Sequence, residues 1–576
     1  MNGQPLAHAW EEALTDLRIE REFQVPGKCT LRFTDPGYVL LAGNTVKLGT
    51  KIVVSAVDGG ELIQAEVTGI GVEQQEGRHP DLVVVAHDKS HRLGRATTVA
   101  TYLEMKYSDV VSKLASAAGL ATAVDSTALK LDYLLQVDSD LGLITELARR
   151  AGFDWWVDGA TLHFKKPKAA PVVKLKLHEE LRTFSVRATG HRPDSFTVDG
   201  WDRQKQAQVT STATTASAPV KAISPLATLV ASPAGAFGKA IVLTAGIAAA
   251  SQDEADQLSA ALAQRAAACA VTARGEAEGT SHIKLGCVID VDDAGPLSGK
   301  YPVTKVEHIY GTGVPFATRF VAGDRRPTSL VDVLAGSRPA ARPATHHTGL
   351  AVGEVTNIND PLKLGRVKVR FPGLSETDES AWARLVAVGG GKSRGNVFIP
   401  EVHDEVLVGF ESGDPRQPVV IGGLYGDKST IPAWAVEGGK VNARGMTSRL
   451  GHVVTLSDGT TPADQFVMLQ LAGQKHTFRV AKDKVDLEVP SGTPVNVKAG
   501  STSIVFSASG DITIEAQNIT IKASMNLKFE AGMNGEMKAG TQLALEGSTQ
   551  ASLKGAVLQM EGSGQASLKG GIVQIN

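Results

Sequence analysis

Apolar and polar residues alternate with a period of two along most of this chain, in short bursts broken by turn residues. Leu17-Arg-Ile-Glu-Arg-Glu-Phe23 and Cys29-Thr-Leu-Arg-Phe33 read as strands with one buried and one wet face, and Asp35-Pro-Gly37 reads as a turn. Two stretches switch to helical spacing. In the first, Val110, Val111, Leu114 and Ala118 share a face, Ser108 can cap the start and Gly119 stops it. In the second, Leu141, Ile144, Leu147, Ala148 and Ala151 form one stripe. Ser139 or Asp138 can cap it, Arg149 and Arg150 suit its last turn, and Gly152 lies just beyond. Trp155 to Phe164 then predicts a hairpin turning at Asp158-Gly159. Strands follow from 170 to 205 and at Gly286–Val291 and Tyr301–His308, with a helix near Glu254–Cys269 between them. The Ala, Thr and Ser-rich stretch 206–250 reads as a variable loop, and the Pro/Arg-rich stretch 323–348 as a linker.

The C-terminal region keeps a different beat. Apolar residues two apart recur every seven or eight positions: Ile504/Phe506, Ile512/Ile514, Ile519/Ile521, Leu527/Phe529, Leu543/Leu545, Leu558/Met560 and Val573/Ile575. Met537, Leu553 and Leu568 stand singly in the beats between, polar residues fill the spaces, and Gly marks many joints. Gln550-Ala-Ser-Leu-Lys-Gly555 returns as Gln565-Ala-Ser-Leu-Lys-Gly570. Each strand has room for only four or five residues, so it cannot bury its inner face alone, and a fixed period implies stacking. Three identical chains wound together, each supplying one side of a triangular prism, close such a structure and remove its lateral edges. At roughly 4.8 Å per layer the rod would be about 45 Å long. The expected fold is therefore mainly β, ending in an intertwined triple-stranded β-helix of a homotrimer.

Totals narrow the function. A length of 576 residues fits roughly three or four domains. A formal charge of −2 gives no reason to expect a nucleic-acid partner. Cys29, Cys269 and Cys287 are too far apart for a disulfide framework or a Cys-based zinc cluster, and read as small apolar residues. No apolar run approaches a membrane span, and the N-terminus does not read as a signal peptide, so synthesis and assembly in the cytoplasm are expected.

Several segments resemble a known family, the VgrG-like spike proteins of contractile injection systems. Asp138-Ser-Asp-Leu141, Leu147-Ala-Arg-Arg-Ala-Gly152, Trp155–Phe164, Gly275-Glu-Ala-Glu-Gly279 and Ser298–Val306 are similar to the phage D-like hub pattern. Asp360–Arg370, Trp382-Ala-Arg384, Gly395–Glu411, Gly413–Gly422 and Leu424-Tyr425 resemble the oligomer-binding (OB) barrel that joins hub to needle. The resemblance implies a two-barrel hub over 1–322, the linker at 323–348, an OB-fold at 349–426, a connecting β region at 427–500 and the needle at 501–576. It implies a trimeric hub seated on an inner tube of Hcp-like protein, contacts with baseplate proteins, and mechanical puncture of a target envelope. The chain looks nearer to extracellular phage-tail-like particles than to type VI secretion spikes or phage baseplate hubs, which stay open as alternatives, with a tailspike-type depolymerase beyond them.

No catalytic chemistry is expected. A lysozyme-like module does not fit between Thr430 and Gly500, and no cofactor is expected. Asp511, Glu515, Glu530, Glu546 and Glu561 are spread along the rod and read as a solvated face. His476 is the last histidine, a hundred residues short of the C-terminus, which argues against a metal at the apex. The final layer, Val573-Gln574-Ile575-Asn576, would leave a trimer with exposed Val and Ile, and an unfinished end of this kind needs a cap. A PAAR-like tip protein is the expected occupant. Of the Trp155-Trp156 pair, hairpin core is the expected role.

Overall fold

The computed structural model describes the chain apart from residues 2, 168–170, 191, 216–232, 245–248, 324–348, 374–376, 474 and 576. All but the first residue of the predicted linker, and Asn576 of the predicted docking layer, lie outside the described residues. The chain divides into two compact units, Met1–Ile431 and Pro432–Asn576.

In the first unit, strand Leu14–Glu22 is the hinge of the hub. It pairs antiparallel with Lys28–Thr34 on one side and with Gly299–Gly311 on the other, so Ile19 faces Cys29 and His308. The sheet built outward from it has eleven strands and encloses two separate cores. Ile19, Phe33, Leu82 and Val84 belong to one, formed with strands Glu61–Glu73 and Asp81–His87. Leu181, Ile289, Tyr301 and Phe320 belong to the other, formed with Leu181–Ala188, Val271–Glu278 and Val314–Ala322. The alternation is the cause: in Lys28–Thr34, Cys29, Leu31 and Phe33 are buried and their neighbours are not. Burying each such side chain contributes roughly 1.5–3 kcal/mol. Burial pushes the thiols of Cys29 and Cys287 up to about 12 and about 11, while Cys269 is half-buried.

Helices Tyr107–Ala117 and Asp140–Ala151 pack with the hairpin Asp154–Asp158/Thr161–Lys165 around Leu114, Ile144, Leu147, Trp155 and Phe164. Ser139 caps the second helix, accepting from the Gly142 amide at 3.1 Å, and Gly152 ends it at φ +69°. A Cβ on Gly152 would also sit 3.1 Å from that of Ala261. The first helix starts two residues earlier than expected, after Lys106. Its amide donates to Asp109 at 3.3 Å, while Ser108 is drawn to Thr127 instead.

The stretch 206–250, expected as a variable loop, carries order in its described part. Ala207–Thr214 forms a hairpin with Ser195–Asp202, and Ile241–Thr244 joins the same sheet in parallel. Val198 and Val209 bury against Leu258 of helix Gln252–Ala268. Thr and Ala sustain the alternation there without large side chains, which is why the pattern was faint in sequence.

Strands Ala351–Asn357, Lys368–Arg370, Arg384–Leu385, Glu405–Phe410 and Pro418–Gly423 form a five-stranded sheet around Val355, Val367, Val369, Val406 and Val408.

After a short ribbon of Val436–Glu437 with Lys440–Val441, the second unit forms two antiparallel meanders. Ala443–Thr447, Val453–Asp458, Gln465–Gln470, Thr477–Ala481 and Val485–Glu488 pair in chain order. Val495–Ala499, Thr502–Phe506 and Ile512–Glu515 form the second. Ile504 thus pairs with Ile514 and Phe506 with Ile512 inside one chain, where a prism layer was expected to begin. The Ser507–Asp511 turn, closed by the Ser507 amide donating to the Asp511 carbonyl at 2.8 Å, lets the chain fold back. From residue 516 onward the described residues contain no strand. Bends recur at 517, 524–525, 532–533, 540–541, 548–549, 556–557, 563–564 and 571–572, so the sequence beat is also a backbone beat.

Candidate functional site

The feature that sets this chain apart is the unpartnered apolar column after residue 516. Ile519, Ile521, Leu527, Phe529, Leu543, Leu545, Leu558, Met560, Val573 and Ile575 are all exposed; Leu545 stands at 70 % and Ile575 at 88 %, against 0 % for Ile19 in the hub. Gln574 is exposed beside them. Of the earlier needle positions, Ile504 is half-buried, and Phe506, Ile512 and Ile514 are exposed despite their intrachain pairing. Glycines tighten the bends: a Cβ on Gly547 would meet the Gln550 carbonyl oxygen at 2.5 Å, and one on Gly562 the Gln565 carbonyl oxygen at 2.8 Å. These two positions are equivalent in the near-literal repeat. A contiguous apolar surface of this length marks an interaction face.

Inside the first unit a buried ion network ties the OB sheet to the hub helices. Arg416 donates to Glu254 at 2.9 Å and to Asp414 at 2.7 Å. Arg150 reaches the same Glu254 oxygen at 3.1 Å and Glu146 at 2.7 Å, and Arg149 closes on Glu146 as well. Nearby, Arg203 and Arg384 share Glu411. Burial opposes charge on Arg416, yet the Glu254 and Asp414 carboxylates hold it well above its ordinary value. Burial likewise opposes ionisation of Asp414, and Arg416 with Arg150 keeps its carboxyl below the usual range. Sequence reasoning missed this network: its members are 104 and 162 residues apart, and Arg416 was read only as part of the Gly413–Gly422 motif.

In the OB sheet itself, Asp360 pins the loop that opens the Asp360–Arg370 motif. It accepts from the amides of Leu362 and Leu364 at 3.1 and 2.9 Å and from the Arg366 guanidinium at 2.6 Å. The Arg366 guanidinium holds its carboxyl well below the ordinary value against an opposing burial effect, and the amides of Leu362 and Leu364 add to it. Arg366 and Lys368 flank the Trp382 ring at 5.9 and 5.6 Å from its centroid.

The hub also holds a cleft of about 930 Å³, walled by Phe23, Trp156, His163, Lys284 and Lys300. Trp155 is core, as expected, but Trp156 stacks on His163 with centroids 4.8 Å apart on the cleft wall. Among the described residues, no group of three or more His, Cys, Asp or Glu side chains is placed to hold a metal. No helix among them is long and apolar enough to cross a membrane.

A two-core β region, a five-stranded sheet and a periodic apolar tail follow one another along the chain, an order that resembles VgrG-like, phage-baseplate-type spikes. Residues 351–425 match the family described as the type VI secretion system/phage-baseplate injector OB domain. A second family model, the Alg8 N-terminal domain, matches residues 60–311. The chain is 47 % identical over 72 residues to the type VI secretion system spike protein VgrG5 of Pseudomonas aeruginosa, covering 12 % of this chain and 9 % of that protein. To VgrG1b of the same organism it is 33 % identical over 131 residues, 22 % of this chain and 17 % of the relative. The matches thus span less than a fifth of these curated relatives. Among solved structures, a chain of the Francisella PdpA–VgrG complex in its half-lidded form superposes with TM-score 0.50 at 8 % identity, covering 83 % of each chain. At that identity the likeness is one of fold.

Proposed function

We propose that this protein is the structural central spike, hub plus needle, of a contractile injection system. The observation that carries the reading is the exposed apolar column of residues 516–575 in a chain that also holds an injector-type OB segment. An eight-residue beat with every apolar side chain in water is unstable alone, and three copies wound together bury the column and supply the missing ladder partners. The result is a stiff prism. Its mechanism is mechanical: sheath contraction drives the inner tube, and the needle concentrates the force on the target envelope. The residues that form its dry core are those of the beat, from Ile519/Ile521 to Leu558/Met560, with the Ile504–Ile514 meander leading into it.

The hub rests on Hcp-like tube protein and touches baseplate components. The exposed residues Val573, Gln574 and Ile575 seat a PAAR-like tip protein. The chain is made and assembled in the cytoplasm as part of a particle of the phage-tail-like kind, and no bond-making or bond-breaking step is assigned to it. Light scattering on the full-length protein, with detergent gels of boiled and unboiled samples, tests the reading. Three copies that resist detergent until boiled are expected, and a monomer that denatures at once in detergent would overturn it.

A further inference from the structure

Directly after the last apolar residue of each beat stands a charge whose sign alternates without a break: Glu515, Lys522, Glu530, Lys538, Glu546, Lys554, Glu561, Lys569. Each sits two positions before a bend, at 517, 524, 532, 540, 548, 556, 563 and 571, so all eight occupy the same place in their beat. All eight are exposed in the single chain. The Glu residues among them, expected only to solvate the rod, are half of an ordered column.

A second feature shares this two-beat period. From Leu527 on, the first apolar position alternates in size: Leu527, Gly535, Leu543, Ala551, Leu558, Ala566, Val573. The large residues fall on the Glu beats and the small ones on the Lys beats, up to the final beat, which ends in Asn576.

From this we infer that the alternating column is the register key by which one copy of the chain recognises its two partner copies. The inference rests on the trimeric spike reading and names the surface that specifies the partner. The apolar pattern by itself is degenerate, because a chain that slides one beat still points its large side chains inward. Threefold symmetry places the same beat of each copy at one height, so the strand above any beat is the next beat of a neighbouring copy. In register, each of Glu530, Glu546 and Glu561 then has Lys above and below, on strands about 4.8 Å apart, and Glu515 has Lys522 on one side. A slip of one beat sets Glu against Glu and Lys against Lys along the column, and stacks large on large and small on small inside. Two periodic features, one outside and one inside, thus reject the same error.

The test reorders the charges without changing their number. An inverted full-length chain exchanges Glu and Lys at all eight positions and at the flanking Lys528 and Glu536, so that the Lys528–Glu530 ion pair is kept with its signs reversed, and keeps the alternation. A blocked chain carries only Lys522→Glu, Lys538→Glu, Glu546→Lys and Glu561→Lys, leaving four Glu followed by four Lys at the same net charge. The lifetime of the detergent-resistant trimer at fixed elevated temperature is the readout. The inverted chain is expected to last as long as the natural one. The blocked chain should dissociate about tenfold sooner, or give no resistant trimer, with the gap narrowing in about 1 M salt. A blocked chain as long-lived as the natural one, or an inverted chain as short-lived as the blocked one, would overturn the register key. If the natural chain itself forms no trimer, it is the spike reading that fails, and the two failures are distinct.

Discussion

The hub and the tail of this chain use the same two-residue alternation with opposite results. In Lys28–Thr34 the alternate residues Cys29, Leu31 and Phe33 vanish into a core, because antiparallel neighbours lie on both sides. In the tail, Leu543 and Leu545 keep the same spacing and stay in water. The difference is strand length. The hub strands that meet at Leu14–Glu22 run seven to thirteen residues and can be met by a returning strand. The Ser507–Asp511 turn still lets Thr502–Phe506 and Ile512–Glu515 meet within the chain, but from 516 on each beat bends and no described segment returns to pair with it. Alternation therefore selects a face, and the distance between turns decides whether the same chain or another copy covers it.

The sharpest way to break this comparison is to place a charge at matched positions of the tail. If the tail acts alone, Leu545→Asp swaps one exposed side chain for another and changes stability by less than about 0.5 kcal/mol. If three copies bury it, the change acts three times and costs about 5–10 kcal/mol per trimer, lost apolar burial and a buried carboxylate together. Loss of the detergent-resistant trimer, with the circular-dichroism melt of the hub unchanged, is the expected result.

The next largest effect belongs to the hub. Arg416→Met leaves Glu254 and Asp414 buried without their main cation, which should cost about 3–5 kcal/mol. Denaturant titration should show the loss together with faster proteolysis between hub and OB sheet, and the tail should keep its heat resistance. Coupled loss in both regions would show that they do not fold independently.

How much of this was visible beforehand follows the same division. The helix Asp140–Ala151 was legible because its signals are local: an apolar stripe, a Ser cap, a Gly stop. The beat of exposed apolar residues from Ile519 to Ile575 was legible from period alone. The Arg416–Glu254–Arg150 network was not, since nothing in the neighbourhood of any one member announces partners so distant in the chain. The small sheet around Val198 and Val209 was missed because Thr and Ala carry its alternation. The alternating Glu and Lys of the tail were on view, but their meaning depends on which beats become neighbours.

Acid should separate the regions less strongly. Burial depresses His308 to about 4, with Arg21 and Lys284 acting in the same direction and Asp58 against them. His87 and His163 are lowered by burial too. A histidine near 6.5 when unfolded and lower when folded takes up its proton first in the unfolded state. Its stabilisation is thus complete above pH 6.5 and lost progressively down to about 4. For His308 the swing is about 3 kcal/mol, and His308→Gln should flatten hub stability across that window. Asp414 and Glu146, held low by their arginines against burial, lose their stabilisation as pH falls through and below their ordinary values of 3.8 and 4.5. The tail beats from 516 to 575 contain no histidine and should show no matching slope.

The smallest effect sharpens the lesson. Ser139→Ala removes the hydroxyl that accepts from the Gly142 amide, and loss of such a cap costs about 1 kcal/mol. Helix Asp140–Ala151 should survive, because Ile144, Leu147 and Ala148 stay clamped in a core with Trp155 and Phe164. A hub melt lowered by a few degrees, with the helical signal intact below it, is expected. The hub spreads its stability over many different contacts, so one local loss is diluted. If three copies bury it, the tail repeats one contact along its length and across every copy, so the same kind of local loss is multiplied. A cap change that unfolded the hub, or a Leu545 change that left the tail intact, would reverse that ordering.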